Sequence, residues 1–370
     1  MPRLSLRSRA HLAFAASVAI GACRTPAPIL YQVEPTPAVV GCAPGGCARA
    51  DEQVEITYLG VSGFLVRYRG AALLTAPFFT NPPIGAVSPT ARLRTWGRQR
   101  HRVRPDTLLI ERLLPREADD ASMIVVGHAH YDHLLDVPYV ARMRATHATI
   151  VGSPTMRHLL MGDPALRRVP SRVVALSGDT VGTVDHAGRW ITSDDGRFRV
   201  MPLRADHAPT LWTGYRYANG TIDRDRDTLP VWADDWKVGE PLSYVIDVLE
   251  PGSARIRLRL YYQDAPSTPP LGFPPASVLA EHGVDVALLC GATASNVRGG
   301  AVPDSLLAVL RPRYALVGHW ESFFRPQTLP LAVGPEMNAD AFLAALTRRM
   351  PLGAGWQMPV PRTVVRVDLR

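Results

Sequence analysis

Three histidines and an aspartate lie within six residues of one short stretch, GHAHYDHLLDVP, which begins at Gly127. His128 and His130 are two residues apart, so an extended loop would bring both imidazoles to one metal ion. Asp132 and His133 would turn back towards a second ion as a helix begins. Neutral imidazole nitrogens and carboxylate oxygens are the usual ligands of zinc in proteins. A lone histidine is most often structural, but four candidate ligands in six residues predict a metal site.

Further candidate ligands follow three apolar segments later in the chain. His207, Asp264 and His319 each come shortly after a segment that suits a buried strand. Taken singly, each would be an ordinary core or surface residue. In series behind the dense histidine loop, they indicate one shared site, because the ends of neighbouring strands meet at the same edge of a sheet.

The elements that must position these side chains are short apolar segments of two kinds. Segments rich in β-branched and aromatic residues, broken by glycine, predict consecutive antiparallel strands at 54–59, 64–68 and 71–75. Beyond them, helical and strand-like segments alternate, which predicts an α/β layering in which strands predominate. The predicted helices are 137–143, 153–160 and 275–282, and the later predicted strands are 198–203, 243–249, 255–262, 284–289 and 314–318.

Length and composition bound the protein class. The chain has 370 residues and is 46% hydrophobic, which is typical of a globular protein with one large domain or two ordinary ones. The net charge of +8 comes almost entirely from arginine, with Lys237 the only lysine. Such a bias is more typical of a GC-rich genome than of nucleic-acid binding, so no nucleic-acid partner is expected.

The first residues predict export. Arg3, Arg7 and Arg9 precede an apolar run at 12–22 that is too short to span a bilayer, the layout of a secretory signal. The run ends in IGAC, which resembles the lipobox of bacterial lipoproteins. We therefore expect a lipoprotein signal peptide at 1–22 and a lipidated Cys23, with an ordinary cleaved signal as the alternative. Removal of 1–22 takes away three arginines and no acidic residues, so the net charge falls from +8 to +5 (8 − 3).

Residues 23–52 are rich in proline, glycine and alanine, which predicts a flexible tether between the membrane and a domain at 53–370. In an oxidising periplasm Cys42 and Cys47 would form a small disulfide loop, and a zinc-ligand pair is the less favoured alternative. Cys290 looks like a buried strand residue. The expected location is the periplasmic face of the bacterial envelope, and Arg24 after the cysteine favours the outer membrane.

The ordered series of HAHYDH, a strand-end histidine, a strand-end aspartate and a second strand-end histidine resembles the metallo-β-lactamase superfamily of metal-dependent hydrolases. The similarity extends from about residue 54 to beyond residue 320. The segments ITYLGVSGFLV, DVALLCGA and VGHWESFF most resemble the branch of sugar-lactone hydrolases and N-acylphosphatidylethanolamine-hydrolysing phospholipase D enzymes. The resemblance implies a four-layer αββα sandwich with a dinuclear metal site at its edge.

The resemblance also implies a ligand set for two zinc ions per chain, although the same ligands would accept iron or manganese. Asp264 would bridge the two ions, and its presence in place of cysteine argues against a class B1-type β-lactamase. The first ion would be held by His128, His130 and His207, and the second by Asp132, His133 and His319.

This site implies hydrolysis by a metal-bridging hydroxide, because zinc lowers the pKa of bound water to about 7. Asp132 would orient the hydroxide and pass a proton to the leaving group, and Asp264 would keep the ions close together. The expected substrate is a small molecule or a lipid. A phosphodiester, including a phospholipid, fits the site, and so does a lactone, ester or amide.

Two segments bear on the substrate, each with two interpretations. The aromatic segment 211–217, with Trp232 and Trp236, either forms a rim over the site or packs a long loop onto the domain. The basic segment 92–101 either meets an anionic headgroup or is an ordinary solvated face.

The chain departs from the related sequences at two positions, where Val61 replaces a histidine and Ala76 replaces an aspartate. Neither belongs to the ligand set, but residues around a metal site orient its ligands. Asp206, Glu321 or Ser62 could substitute for them. The alternatives to a hydrolase are an iron-dependent redox enzyme on the same fold and a metal-binding lipoprotein without turnover.

Overall fold

A computed structural model describes residues 30–31, 35–42, 46–87, 102–210, 214–297 and 302–369. The predicted signal peptide, Cys23, the basic segment 92–101 and residues 211–213 of the aromatic segment lie outside these ranges. Within the described residues, no helix combines the length and the apolar character that a membrane span requires.

Two large β-sheets organise the chain, with strands numbered along the sequence from β1 (Leu30–Tyr31). The first sheet has eight strands; its middle strands are antiparallel, and β5 to β8 are parallel. In spatial order they are β2 (Ala38–Val40), β17 (Val364–Asp368), β3 (Gln53–Gly60), β4 (Gly63–Tyr68), β5 (Ala71–Thr75), β6 (Ala121–Val125), β7 (Thr149–Gly152) and β8 (Val173–Ala175).

The second sheet has seven strands, antiparallel from β9 to β12 and parallel from β12 onwards. A separate pair joins β1 to β15 (Leu331–Ala332). The seven strands, in spatial order, are β16 (Gly355–Gln357), β14 (Tyr314–Gly318), β13 (Val286–Cys290), β12 (Ile256–Gln263), β11 (Leu242–Leu249), β10 (Phe198–Arg204) and β9 (Ile191–Thr192).

Helices cover the sheets on both sides. They are α1 (Ile84–Val87), α2 (Thr107–Leu113), α3 (Tyr131–Leu134), α4 (Val137–Met143), α5 (Pro154–Leu160), α6 (Pro164–Arg168), α7 (Ala276–Glu281), α8 (Asp304–Leu310) and α9 (Ala339–Arg349). Polar side chains cap the N-termini of several of these helices. Ser153 caps α5 and Asn338 caps α9, each by accepting a hydrogen bond from a backbone N–H of the first turn.

The alternation of side chains along each strand divides the core into layers. In β4, Phe64 and Val66 point into the core between the two sheets, where they join Val200 and Ile246 of the second sheet. Leu65, between them, packs instead with the helices α2, α4 and α5 on the outer face of the first sheet. Helices α8 and α9 bury their apolar faces against the second sheet. The predicted four-layer αββα sandwich is therefore confirmed.

The predicted elements agree with the structure to within two residues at their ends. Helix α4 and strand β14 have the predicted bounds, and the three consecutive strands after residue 53 are antiparallel as expected. The apolar residues of these elements recur over a long enough stretch to show a clear helical or strand period, which is why the sequence indicates the elements correctly.

The structure differs from the flexible tether predicted at 23–52. Ala38–Val40 forms β2, which pairs in parallel with β17 at the edge of the first sheet, and the Ala48 N–H donates to the buried Asp368 carboxylate. Cys42 and Cys47 form the expected disulfide between these points. A strand of three residues is too short to show a periodic pattern, so the proline-rich composition concealed it.

Candidate metal centre

The seven predicted ligand residues meet at one edge of the sandwich. Each follows the carboxyl end of a strand: β6 leads to the HAHYDH loop, β10 to His207, β12 to Asp264 and β14 to His319. Six of the seven side chains are buried, and His207 is half-buried. The structure therefore brings together every side chain that the sequence assigned to the metal site.

His128, His130 and His207 form a first group whose candidate ligand atoms lie within 4.8 Å of one another. The Nε2 atom of His130 lies 3.0 Å from the carbonyl oxygen of Tyr217, and Nδ1 of His207 lies 2.7 Å from that of Ala208. A carbonyl can only accept, so both contacting nitrogens carry the hydrogen. The opposite nitrogens are left with lone pairs that face the cluster, as metal ligation requires.

Asp132, His133 and His319 form a second group, also within 4.8 Å. Oδ2 of Asp132 lies 3.5 Å from Nε2 of His133 and 3.4 Å from Nε2 of His319. Helix α3 carries Asp132 and His133, so one turn of helix presents both to the site.

Asp264 lies between the two groups. Its Oδ2 is 2.7 Å from Nδ1 of His128, and its Oδ1 is 2.9 Å from Nδ1 of His133. The hydroxyl of Tyr262 also donates to Oδ1. The carboxylate thus contacts one histidine of each group, in both cases at the Nδ1 nitrogen.

Burial keeps the histidines of the first group neutral. Desolvation lowers the pKa of His130 well below its usual value and lowers the pKa of His207 to about 3, with neighbouring histidines adding to both effects. Desolvation, followed by the charge of His133, lowers the pKa of His128 too. Neutral imidazole is the form that binds a metal, so this group is ready for one at neutral pH.

Opposite charges set the protonation states of Asp132, His133 and Asp264. Burial alone would raise the pKa of Asp132 and Asp264, but the neighbouring histidines hold both well below the usual range. The pKa of His133 rises to about 10, because the attraction of the two carboxylates outweighs its desolvation. Two buried carboxylates are thus balanced by one protonated histidine. A divalent cation would supply that positive charge directly, so the residues fit a metal.

Gly127 allows the histidine loop to pass close to Asp264. A Cβ added at position 127 would lie 2.2 Å from Cβ of Asp264 and 2.5 Å from its Oδ2. The loop is also fixed by the hydrogen bond from the N–H of Leu242 to the carbonyl of Gly127, 2.7 Å long. A side chain at this position would push Asp264 out of line with the histidines.

Glu321 occupies the turn where related sequences have a histidine in place of Val61. Val61 is in the left-handed region at φ 54°, and its N–H donates to Oε1 of Glu321 over 2.7 Å. Tyr58 donates to Oε2 over 2.6 Å, and the N–H of His319 donates to the Val61 carbonyl over 2.6 Å. Of the three predicted substitutes, Glu321 is the one that links this turn to the His319 loop. Asp206 pairs instead with Arg216.

A cavity of about 300 Å³ opens onto the candidate ligands. Tyr215 and Tyr217 line it, which supports the rim interpretation for these two residues. Trp236 is fully buried in the core beneath the helices of the first sheet, so for this residue the packing interpretation is correct. Phe323, Phe324 and Glu336 line the cavity too. Sequence reasoning did not assign them to the site: the first two end the segment VGHWESFF, which served only as a family resemblance, and Glu336 lies in no motif.

Residues 100–224 match the family model described as the beta-lactamase superfamily domain. The match contains the whole histidine loop and His207. It confirms the resemblance to the metallo-β-lactamase superfamily and supports a metal-dependent hydrolase. The branch within that superfamily stays a prediction, and no protein of curated function matches the chain.

Three solved structures are among those similar to this chain at low sequence identity. Igni18, a metallo hydrolase from Ignicoccus hospitalis, is 15% identical over 86% of this chain and all of its own, with a TM-score of 0.47. An isothiocyanate hydrolase from Delia radicum gut bacteria is 13% identical over 84% of this chain and 98% of its own, with a TM-score of 0.45. CmlA, a diiron β-hydroxylase from Streptomyces venezuelae, is 14% identical over 91% of this chain and 55% of its own, with a TM-score of 0.45. No activity is transferred from these similarities.

We expect Gly127→Ala to displace Asp264 and to destabilise the fold by about 1–3 kcal/mol, the usual cost of overpacking a closed interior. Thermal unfolding and metal content per chain would measure both effects. Gly283→Ala is the matched control, because an added Cβ there has no atom within 4 Å. Wild-type metal content in Gly127→Ala would show that the close approach to Asp264 is unimportant.

Glu321→Ala is expected to weaken the second metal site by about 10–100-fold, because residues that orient metal ligands have effects of this size. The Val61 N–H and the Tyr58 hydroxyl would lose their acceptor, and the His319 loop would lose its support. Glu321→Gln keeps an acceptor for Val61 and should restore part of the affinity. Zinc titration of the three proteins tests this, and two undiminished sites in the alanine variant would contradict it.

Proposed function

We propose that the chain, with its beta-lactamase superfamily domain at residues 100–224, is a dinuclear zinc hydrolase. The single observation that carries the proposal is the placement of Asp264 between two groups of three ligand candidates. One ion would be held by His128, His130 and His207 and the other by Asp132, His133 and His319, with Asp264 shared between them.

Zinc is the metal that this donor set suits best, because five imidazoles and two carboxylates are borderline ligands without a thiolate. Iron and manganese accept the same donors, so metal availability also affects occupancy. The buried Cys290 lies in the cavity wall, but burial raises its pKa well above the usual value, which keeps the thiol protonated and leaves it outside the ligand set.

When bound, two zinc ions would lower the pKa of a coordinated water and polarise the oxygen of the scissile group. Asp132 would hold the attacking water through one carboxylate oxygen and carry its proton towards the leaving group. Its low pKa keeps it ionised, so that it can accept a hydrogen bond from that water. Tyr262 and the two histidines around Asp264 would fix the shared carboxylate during the reaction.

The scissile bond belongs either to a phosphodiester, for example of a phospholipid, or to a lactone, ester or amide. The cavity supports a substrate with an apolar body, because Ile84, Val87, Tyr215 and Phe324 are among its walls. Ile84 and Tyr215 are exposed at the surface. An export signal and a lipidated Cys23, which we propose from the sequence, would place this opening at the periplasmic face of a membrane.

Metal analysis of protein purified without added metal should give close to two zinc ions per chain. Asp264→Ala should lower that number, because the shared carboxylate is removed while Tyr262 and the histidines remain. Glu117→Gln, a change at an exposed side chain, is the control. Two tightly bound ions in Asp264→Ala would contradict the bridging role of this residue.

Zinc-loaded wild-type protein should hydrolyse at least one of two model substrates, an aryl phosphodiester and an aryl ester. His128→Ala should lower kcat/KM by about 100-fold or more, because a first-group ligand is lost while the fold is kept. Equal rates in the two proteins would mean that the observed hydrolysis does not use this site, and the chain would then be a metal-binding protein without turnover.

A further inference from the structure

Glu336 is a carboxylate in the cavity wall that belongs to neither candidate metal group. The backbone fixes its position from two sides. The N–H of Thr293 donates to the carbonyl oxygen of Glu336 over 3.0 Å, and the N–H of Gly334 donates to that of Trp320 over 2.7 Å. The segment that carries Glu336 is therefore tied to the His319 loop and to Thr293, which also lines the cavity.

One oxygen of this carboxylate is left without a partner. Oε2 of Glu336 is shielded from solvent and accepts no hydrogen bond from the described residues. A buried acceptor without a donor is unfavourable, and more so when the group is charged. Such an atom in a ligand cavity indicates that the donor comes from the ligand.

The remaining walls favour a cation as that donor. Tyr131, Tyr217, Phe323 and Phe324 all line the cavity, and the rings of Phe323 and Phe324 lie 4.3 Å apart. Aromatic faces attract ammonium groups through their quadrupole, and a carboxylate beside them adds a full negative charge. Among the described residues that line the cavity, none is an arginine or a lysine that would neutralise Glu336.

We propose that the natural substrate carries a protonated amine, and that Oε2 of Glu336 accepts an N–H from it while the aromatic rings surround its apolar body. This inference rests on the proposed hydrolase. It makes Glu336 a specificity-determining residue, and it favours an amine-bearing ester, lactone or amide over an anionic phosphodiester.

The test compares acyl probes that differ at the end remote from the scissile bond. Methyl esters of hexanoic, 6-aminohexanoic and 6-(trimethylammonio)hexanoic acids and the monomethyl ester of adipic acid serve as hydrolysis probes. Their N-methyl amides serve as binding probes in calorimetry. Zinc-loaded full-length protein and its Glu336→Gln variant are measured at pH 7, with Glu117→Gln as the control and thermal unfolding and zinc content as checks on folding.

In the wild type, the aminohexanoyl amide should bind about 10-fold or more tightly than the uncharged hexanoyl amide, the usual size of a charge-assisted hydrogen bond. The trimethylammonio probe has no N–H and should fall between them. The probe with a carboxylate reports direct binding to the zinc ions, because carboxylate is itself a zinc ligand. Glu336→Gln should remove most of the preference for the amine, and Glu117→Gln should keep it.

An unchanged preference in Glu336→Gln, or a wild type that does not prefer the amine probe over the uncharged one, would overturn the role of Glu336. The ester probes separate this result from a failure of the hydrolase proposal. Selective amine binding that Glu336→Gln abolishes, together with no hydrolysis of any ester or of an aryl phosphodiester, would keep the amine site and overturn the hydrolase.

Discussion

The structure of the site depends on one buried carboxylate that is shared between two histidines. Asp264 has almost no contact with solvent, and it contacts His128 on one side and His133 on the other. A charge in such a place is costly unless donors surround it, and here Tyr262 supplies a third. These contacts fix the relative positions of the two histidine groups, and so they define the space between them.

The fold brings Asp264 and its histidine donors together from different sheets. Asp264 follows a strand of the second sheet, whereas His128 and His133 follow a strand of the first, so the contact joins the two halves of the sandwich. Gly127 permits the approach because it has no side chain.

A second connection between the halves joins Val61 and His319, both in the left-handed region at φ 54° and φ 53°. Backbone strain of this kind persists only where surrounding contacts enforce it, and it concentrates at functional sites. Glu321 and Tyr58 supply those contacts.

The sequence was sufficient to predict the candidate ligands because two kinds of signal coincide there. Ligand types are chemically distinctive, and apolar strands before them show clear periods, so both the side chains and their common edge follow from the residues. The residues of the cavity walls have neither a distinctive ligand type nor a periodic apolar strand before them. Phe323, Phe324 and Glu336 come from irregular loops, and an aromatic or a glutamate in a loop is an ordinary residue until its neighbours are known. The short strand Ala38–Val40 was missed for a related reason, because its partner β17 lies more than 300 residues away.

Negative charge is concentrated at this edge of the sandwich, and the concentration bears on both proposals. Asp132, Asp264 and Glu336 are carboxylates on one cavity, and Glu321 lies just behind it. His133 is held as a cation by two of them, but the neutral first group contributes no positive charge. In a poorly solvated cavity such an excess of negative charge attracts cations strongly, because the effective dielectric constant is low.

The excess of negative charge has two parts. The carboxylates among the histidines belong to the candidate ligand groups, whereas Glu336 belongs to neither group and offers an oxygen that no described residue uses. Both proposals follow from this excess: metal ions would offset it where the imidazoles converge, and an organic cation would offset it beside the aromatic rings.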